Sequence, residues 1–297
     1  MNALRRTLLS FTLATAVATG WAGPAGATGD DDDPGIVPFD IGTYNIRADR
    51  TLKQFKSAVD AFKERVQVAG LQEIAEKEKN DYLQSDDGWG YYRPDELRQN
   101  PVIWDTTYFS FVDAPDSGYQ IAKGREVEAK DGGTEFKEAT FATVVRLDHL
   151  LSGNEVSVIN VHLLSGASRV GRPWPGRPRR FEMFTDQVAG MMRLVKAERE
   201  LGNEVFVLGD FNIGFQADQK VRDKRLPFKR FKRVGYRSMW QGGELAEKGT
   251  YENAYLDQVW SSEVPERREV AYDIKQSDHY PAIARYDLDL ELPFRLG

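Results

Sequence analysis

The chain has 297 residues, 41% of them hydrophobic, with 46 acidic and 40 basic side chains and a formal charge of -6. That is enough apolar material for one sizeable core, and the acidic balance excludes general attraction to polyanions unless basic side chains are gathered locally. With no cysteine present, no disulfide framework holds the fold.

The first segment, "MNALRRTLLSFTLATAVATGWAGPAGATGDDDDPG", places Arg5 and Arg6 before an apolar stretch from Leu8 to Val17, then small residues at Ala25, Gly26 and Ala27. This is the layout of an export signal over residues 1–27, cleaved after Ala27, and it predicts a secreted, extracellular protein. The apolar stretch is too short and too rich in Ala, Thr and Gly for the ~20 residues of a membrane span. The paired arginines leave a twin-arginine route open. Removing the two arginines with the signal takes the formal charge from -6 to -8. Residues 28–35, "TGDDDDPG", read as a flexible acidic linker. No later segment has transmembrane character, so no stable membrane insertion is expected. Residues 36–297 read as one domain, with no internal repeat, no protein partner evident and a monomer expected.

"IVPFDIGTYNIR" reads as a strand. "LKQFKSAVDAFKERV" places Leu52, Phe55, Val59, Phe62 and Val66 three and four apart, the spacing of an amphipathic helix. "VAGLQEI", "PVIWDTTYFSFV", "ATFATVVRLD" and "EVSVINVHLL" follow as strands, the last two joined by a hairpin turn at Ser152-Gly153-Asn154. A polar loop, "SGASRVGRPWPGRPRR", leads to the helix "FEMFTDQVAGMMRLVKAEREL", stopped by Gly202. "EVFVLGDFN", "AYLDQVW" and "YPAIARYDLDL" complete the strands. This alternation predicts a mixed sheet protein with helices covering the outside.

Polar residues gather where these strands end: Asn45, Glu73, His162, Asp210, Asn212, Asp257, Asp278 and His279. Each has a plain reading alone. Asn45 can cap a turn, Glu73 can open the solvated run "EIAEKEKND", and His162 can be a core histidine. As a set they match what phosphodiester hydrolysis needs. Glu and Asn are hard oxygen ligands that suit Mg²⁺. Asp210 and Asn212, two apart on a strand, share a face. Histidine supplies donor or acid/base function near neutral pH. Two of the three histidines fall in this set. The third, His149 in "RLDHLLSG", precedes a turn and is expected at the surface.

The motifs "TYNIR", "LQEI", "NVHL", "GDFN" and "SDHYP" resemble those of the endonuclease/exonuclease/phosphatase superfamily (deoxyribonuclease I-like), in that family's order and across most of residues 36–285. The resemblance implies an α+β fold, a four-layer α/β/β/α sandwich of two packed mixed sheets flanked by helices. It implies Glu73 as the principal Mg²⁺ ligand, with Mn²⁺ a possible substitute, helped by Asn45, and Asp278 as a second acidic group at the metal. Asp210 would position the attacking water and Asn212 would hold a phosphate oxygen. His279, oriented by Asp257, would act as general base or transition-state stabiliser. His162 would bind or protonate the phosphate region. Its supporting residue is open between Glu96 and Asn100.

The substrate must come from the loops. Arg169, Arg172, Arg177, Arg179 and Arg180 surround Trp174 in one segment. Lys220, Arg222, Lys224, Arg225, Lys229, Arg230, Lys232 and Arg233 interleave with Phe228 and Phe231 in another. Both follow catalytic motifs, so both are expected at the mouth of the site, holding DNA or RNA. Solvated charge is the plainer reading. A sphingomyelin or phospholipid phosphodiesterase would use Trp174, Phe228 and Phe231 for lipid contact, and an inositol-phosphate phosphatase belongs to the same superfamily. A non-catalytic nucleic-acid-binding module is the alternative of another class.

Overall fold

The computed structural model describes residues 36–95, 99–115, 118–246 and 248–289. The predicted export signal, the acidic linker and Glu96 lie outside them. Strands β1 (Ile36–Asn45) and β2 (Val68–Gln72) flank helix α1 (Leu52–Lys63), and helix α2 (Lys77–Gln84) follows. Next come β3 (Trp89–Tyr92), β4 (Val102–Asp105), β5 (Phe109–Asp113) and β6 (Tyr119–Ala122). A small hairpin of β7 (Arg125–Glu128) and β8 (Thr134–Lys137) leads to the long pair β9 (Thr140–His149) and β10 (Glu155–His162). A second hairpin, β11 (Ser168–Arg169) and β12 (Arg172–Pro173), precedes α3 (Pro178–Glu200) and β13 (Glu204–Asp210). The chain continues through α4 (Phe215–Val221), α5 (Pro227–Arg233), β14 (Arg237–Ser238), β15 (Asp257–Ser261), β16 (Arg267–Val270) and β17 (Ala282–Asp289).

The large sheets run β16-β17-β1-β2-β4-β3 and β14-β15-β13-β10-β9-β5, with β6 also on β9. Each is mixed for the same reason. A strand–helix–strand unit supplies one parallel pair, β1 with β2 and β10 with β13, and antiparallel partners flank it. The sheets meet through Phe39 of β1, which packs edge-on to Phe206 of β13 with ring centroids 5.2 Å apart. On the outer face of the first sheet, Phe55, Val59 and Phe62 of α1 are buried with Tyr44 and Leu71. A Thr51–Gln54 capping box starts that helix. The long helix α3, opened by Pro178, covers the other sheet and buries Phe181, Phe184, Val188 and Met191. The result is the predicted four-layer sandwich.

Three expectations change. "PVIWDTTYFSFV" is two strands in two different sheets. Asp105 breaks it, accepting hydrogen bonds from the Thr107 amide (2.8 Å) and the Tyr108 amide (3.1 Å), so the chain crosses from one layer to the other. "EIAEKEKND" is only partly a solvated run: Ala75 to Glu78 and Asp81 are exposed, but it contains the start of α2, whose Lys79 is fully buried. His149 is not at the surface. Its Nδ1 lies 2.8 Å from Ser152 Oγ and its ring 4.8 Å from that of Phe109, and burial holds its pKa below the usual value.

A buried polar bridge joins the sheets beneath one end of the sandwich. Gln72 Nε2 donates to Asn160 Oδ1 (2.7 Å) and to Thr43 Oγ1 (3.0 Å), while Asn160 Nδ2 donates to the carbonyls of Leu71 and Pro101 (2.9 Å each). Gly70 makes room for it: a Cβ there would stand 2.7 Å from Asn160 Cγ. Unpaired polar groups at this depth would be expensive, so the satisfied bridge pins the alignment of the two layers.

Candidate active site

The topology gathers the strand-end residues at one edge. Parallel pairing brings Asn45 beside Gln72 and His162 beside Asp210. Antiparallel pairing sets Asp257, at the start of β15, opposite Asp210. His279 lies three residues before β17, whose Ala282 pairs with Thr43. Thr43 and Asn45, and Asn160 and His162, are two apart on their strands. The polar bridge between the sheets therefore lies directly beneath the site.

Asp210 is the hub. Its Oδ2 accepts hydrogen bonds from Asn45 Nδ2 (3.1 Å) and Asn212 Nδ2 (3.1 Å), and stands 3.5 Å from His162 Nε2 and 4.0 Å from His279 Nε2. Its Oδ1 accepts from the Asn212 amide (2.8 Å), an Asx turn that carries Asn212 at φ 50°. Gly209 before it has φ 141°, and a Cβ there would meet the Val161 carbonyl oxygen at 1.9 Å, so no other residue fits this approach of β13 to β10. Asn212 departs from its expected role. Both its amide hydrogens are taken, by Asp210 and by the Leu163 carbonyl (2.9 Å), and it holds Asp210 before it can hold a phosphate.

His279 is buried, with Nδ1 2.8 Å from Asp257 Oδ2 and the Tyr251 ring 4.7 Å from its own. Burial opposes its charge, but Asp257, Asp210 and Asp278 outweigh burial and push its pKa up to about 10. The surrounding carboxylates therefore favour the imidazolium form, with Nε2 presented to the hub.

Glu73 follows β2 at φ 67°, a left-handed conformation rare for a side chain of its size and worth about 1–3 kcal/mol of strain. Its Oε1 accepts from Asn45 Nδ2 (3.2 Å) and its Oε2 from the Ala48 amide (3.0 Å). Asn45 Oδ1 is buried without a hydrogen-bond partner. A carboxylate beside an orphaned amide oxygen is a hard-oxygen donor pair that suits Mg²⁺, which keeps several waters and needs few protein ligands. Asp278 does not join them as expected. It is half exposed, 3.6 Å from Arg47, and accepts from Ser277 Oγ (3.2 Å). Among the described residues no group of three or more His, Cys, Asp or Glu side chains is arranged to hold a metal. For His162, Asn100 is buried with its Oδ1 unpartnered, and Glu96 lies outside the described residues.

Parts of the basic segments are not where the sequence suggested. Arg180 is 1% exposed, and it donates to Ser165 O (2.8 Å), Glu128 O (2.7 Å) and Glu135 Oε1 (2.5 Å). Arg179 pairs with Glu126 (2.9 Å) and Glu128 (3.1 Å), and Arg177 donates to the carbonyls of Gly166 and Lys130 beneath Trp174. These three arginines hold the β7–β8 hairpin onto the start of α3. Lys229, Arg230, Lys232 and Arg233 lie on α5, and Arg230 and Arg233 face Val195, Lys196 and Arg199 in the second half of α3. That half leads to Glu204, the end of β13 opposite Asp210. Phe228 and Phe231 are core residues, the latter stacked on Trp260 at 4.5 Å. Exposed cations follow two site motifs: Arg169 and Arg172 on the β11–β12 hairpin after His162, and Lys220, Arg222, Lys224 and Arg225 in and after α4, beyond Asn212.

Sequence reasoning passed over Gln72, Asn160, Ser277, Tyr251 and Lys79. Ser277 Oγ donates to Asn45 O (2.8 Å) and so fastens the His279 segment to β1. Asn160 and Gln72 carried a signal, as amides inside otherwise apolar strands. Lys79 carried none.

No protein-family model matches the chain, and no curated protein matches it by sequence. Solved structures do. An endonuclease/exonuclease/phosphatase family protein from Bacteroides thetaiotaomicron is 15% identical, with TM-score 0.61, covering 88% of this chain and 99% of that one. A mannosyl-6-phosphatase from the same organism is 13% identical, with TM-score 0.60 and coverage of 84% and 99%. D. rerio TDP2 complexed with a single-strand DNA product is 13% identical, with TM-score 0.55 and the same coverage. Among the described residues no helix is long and apolar enough to cross a membrane. The chain thus has the fold of the endonuclease/exonuclease/phosphatase family proteins.

Proposed function

We propose that the chain is a metal-dependent phosphoester hydrolase of the endonuclease/exonuclease/phosphatase superfamily, acting by attack of water on phosphorus. The observation that carries this is the convergence of Asn45, Asn212, His162 and His279 on one oxygen of Asp210, beside the strained Glu73. Glu73 and Asn45 would hold Mg²⁺, which when bound offsets charge on the phosphate. Asp210 orients the attacking water and takes its proton. His279, fixed by Asp257 and favoured as the cation by the carboxylates around it, donates from Nε2 toward the phosphoryl oxygens as charge builds there, the role of a stabiliser. His162 offers a second imidazole to the same region.

For the substrate we keep a nucleic-acid strand, on narrower support. Arg47, Arg169 and Arg172 are exposed and belong to segments that follow site motifs. The solved D. rerio TDP2 complex has a single-strand DNA product in the same fold. The lipid reading loses two of its three aromatic contacts, because Phe228 and Phe231 are core. A phosphomonoester reading is favoured by one observation, the mannosyl-6-phosphatase among the similar structures. The test is a panel run with purified protein and Mg²⁺: duplex and single-stranded DNA, RNA, a sugar phosphate, sphingomyelin and inositol phosphates. The proposal expects turnover of a nucleic acid, abolished by chelation. Turnover of the sugar phosphate alone would move the second reading ahead.

A further inference from the structure

Behind Glu73 lies a cation that the reaction as described does not use. Lys79 of α2 is fully buried. Its Nζ donates to the Ala48 carbonyl (2.7 Å), stands 3.3 Å from Glu76 Oε2 and lies 5.9 Å from the centre of the Phe55 ring. A buried ammonium carries a desolvation penalty, and here its partners are one carbonyl and one half-exposed carboxylate. The Ala48 carbonyl it grips and the Ala48 amide that donates to Glu73 Oε2 (3.0 Å) belong to successive peptides on the two sides of one residue. The next side chain, Asn80, donates to the carbonyls of Ile74 (3.0 Å) and Glu76 (2.8 Å), and its Oδ1 accepts from Tyr91 OH (2.7 Å). Two consecutive residues of α2 thus brace the two backbone segments that flank Glu73, the turn at Arg47–Arg50 and the stretch Ile74–Glu76. Glu73 itself sits at φ 67°, which persists only when its surroundings hold it. With Oε2 fixed on the Ala48 amide, Oε1 is left toward Asn45.

We propose that Lys79 is a positioning residue of the metal site: its ammonium fixes Ala48 by its carbonyl, the amide on the other side of the same residue fixes the Glu73 carboxylate, and the carboxylate is thereby set for a divalent cation before one arrives. This rests on the reading of Glu73 as a metal ligand. Outer groups that orient a metal ligand typically change metal affinity by 10–100-fold when removed. The plainer role, anchoring α2, would lower stability and leave affinity alone.

The experiment measures equilibrium Mn²⁺ binding to the full chain by electron paramagnetic resonance of free Mn²⁺, with the thermal midpoint of each protein recorded without metal. Lys79→Met keeps the volume and removes the charge, and should raise the Kd at least tenfold. Lys79→Gln, which keeps a donor for the Ala48 carbonyl, should fall between it and the parent. Hydrolysis by both variants should return toward the parent's rate as Mn²⁺ is raised to saturation. An unchanged Kd in a folded Lys79→Met protein overturns the inference, whatever its thermal midpoint. If that variant does not fold, an unchanged Kd in Lys79→Gln overturns it equally. A parent that takes up no Mn²⁺ overturns the metal reading and this inference together, whereas parent and variants binding alike overturn the inference alone.

Discussion

The strand-end cluster and the Arg177–Arg180 segment are both dense in charge, yet they are opposite kinds of region. In the segment each guanidinium is matched: Arg180 by Glu135 and two carbonyls, Arg179 by Glu126 and Glu128, Arg177 by two carbonyls and the Trp174 face. At the strand ends polar atoms are held in place but left unused. Asn45 Oδ1 and Asp257 Oδ1 are buried without partners, and Glu73 is strained. A matched cluster is scaffold. A fixed but unsatisfied one is a candidate site for a ligand.

The sharpest way to break this contrast is to remove side chains from each region. At the strand ends, His279→Ala and Asp210→Asn should each lower hydrolysis by ~10²–10⁴-fold or more, with thermal midpoints close to the parent. Asp257→Asn should act through His279, so adding it to His279→Ala should change little further. Full additivity would separate the pair. Glu73→Gln should lose most activity while remaining folded, and excess chelator should do the same to the parent.

In the segment the outcome should reverse. Arg180→Ala removes buried hydrogen bonds to the Ser165 and Glu128 carbonyls and to Glu135, and should lower the unfolding free energy, read by urea titration. The salt dependence of polyanion binding should not move. His149→Ala should also destabilise, because the ring is packed in the core against Phe39 and Phe109.

A subtler effect sits in the loop region that carries α5. Asp218 is buried and accepts from the Phe228 amide (2.8 Å), and burial pushes its pKa up to about 7. An unfolded Asp ionises near pH 4. The folded state therefore binds the extra proton between about 4 and 7, and stability falls as pH rises through that window. Asp218→Asn should flatten the fall and leave hydrolysis of a small phosphodiester unchanged. Smallest of all should be the effect of neutralising Lys229, Arg230, Lys232 and Arg233 on that same small substrate, since α5 packs on the far half of α3.

Much of the site was legible because strand ends are. An apolar run that finishes in Glu73, His162 or Asp210 breaks its own pattern, and motif order placed those residues together. The covering helix was legible from the helical spacing of Phe55, Val59 and Phe62, and the four layers only from the motif resemblance. What the sequence hid was partnership. The acids that neutralise Arg179 and Arg180 lie in a hairpin about 50 residues upstream, and a basic run looks the same whether or not it is compensated. Lys79 looked solvated because its neighbours are charged, and only the packing of α2 reveals its burial. Asp105 divided one apolar run between two sheets through a turn that period and composition do not register.

The central claim is that the strand-end cluster hydrolyses phosphoesters with a divalent cation. It is tested most directly by the Mg²⁺-dependent release of nitrophenol from bis(4-nitrophenyl) phosphate, comparing the parent, the parent in excess chelator and Asp210→Asn. The account predicts turnover in the parent with Mg²⁺, none above background in chelator, and a loss of at least ~10²-fold in a folded Asp210→Asn. Equal turnover by the parent and Asp210→Asn, or undiminished turnover in chelator, would contradict it.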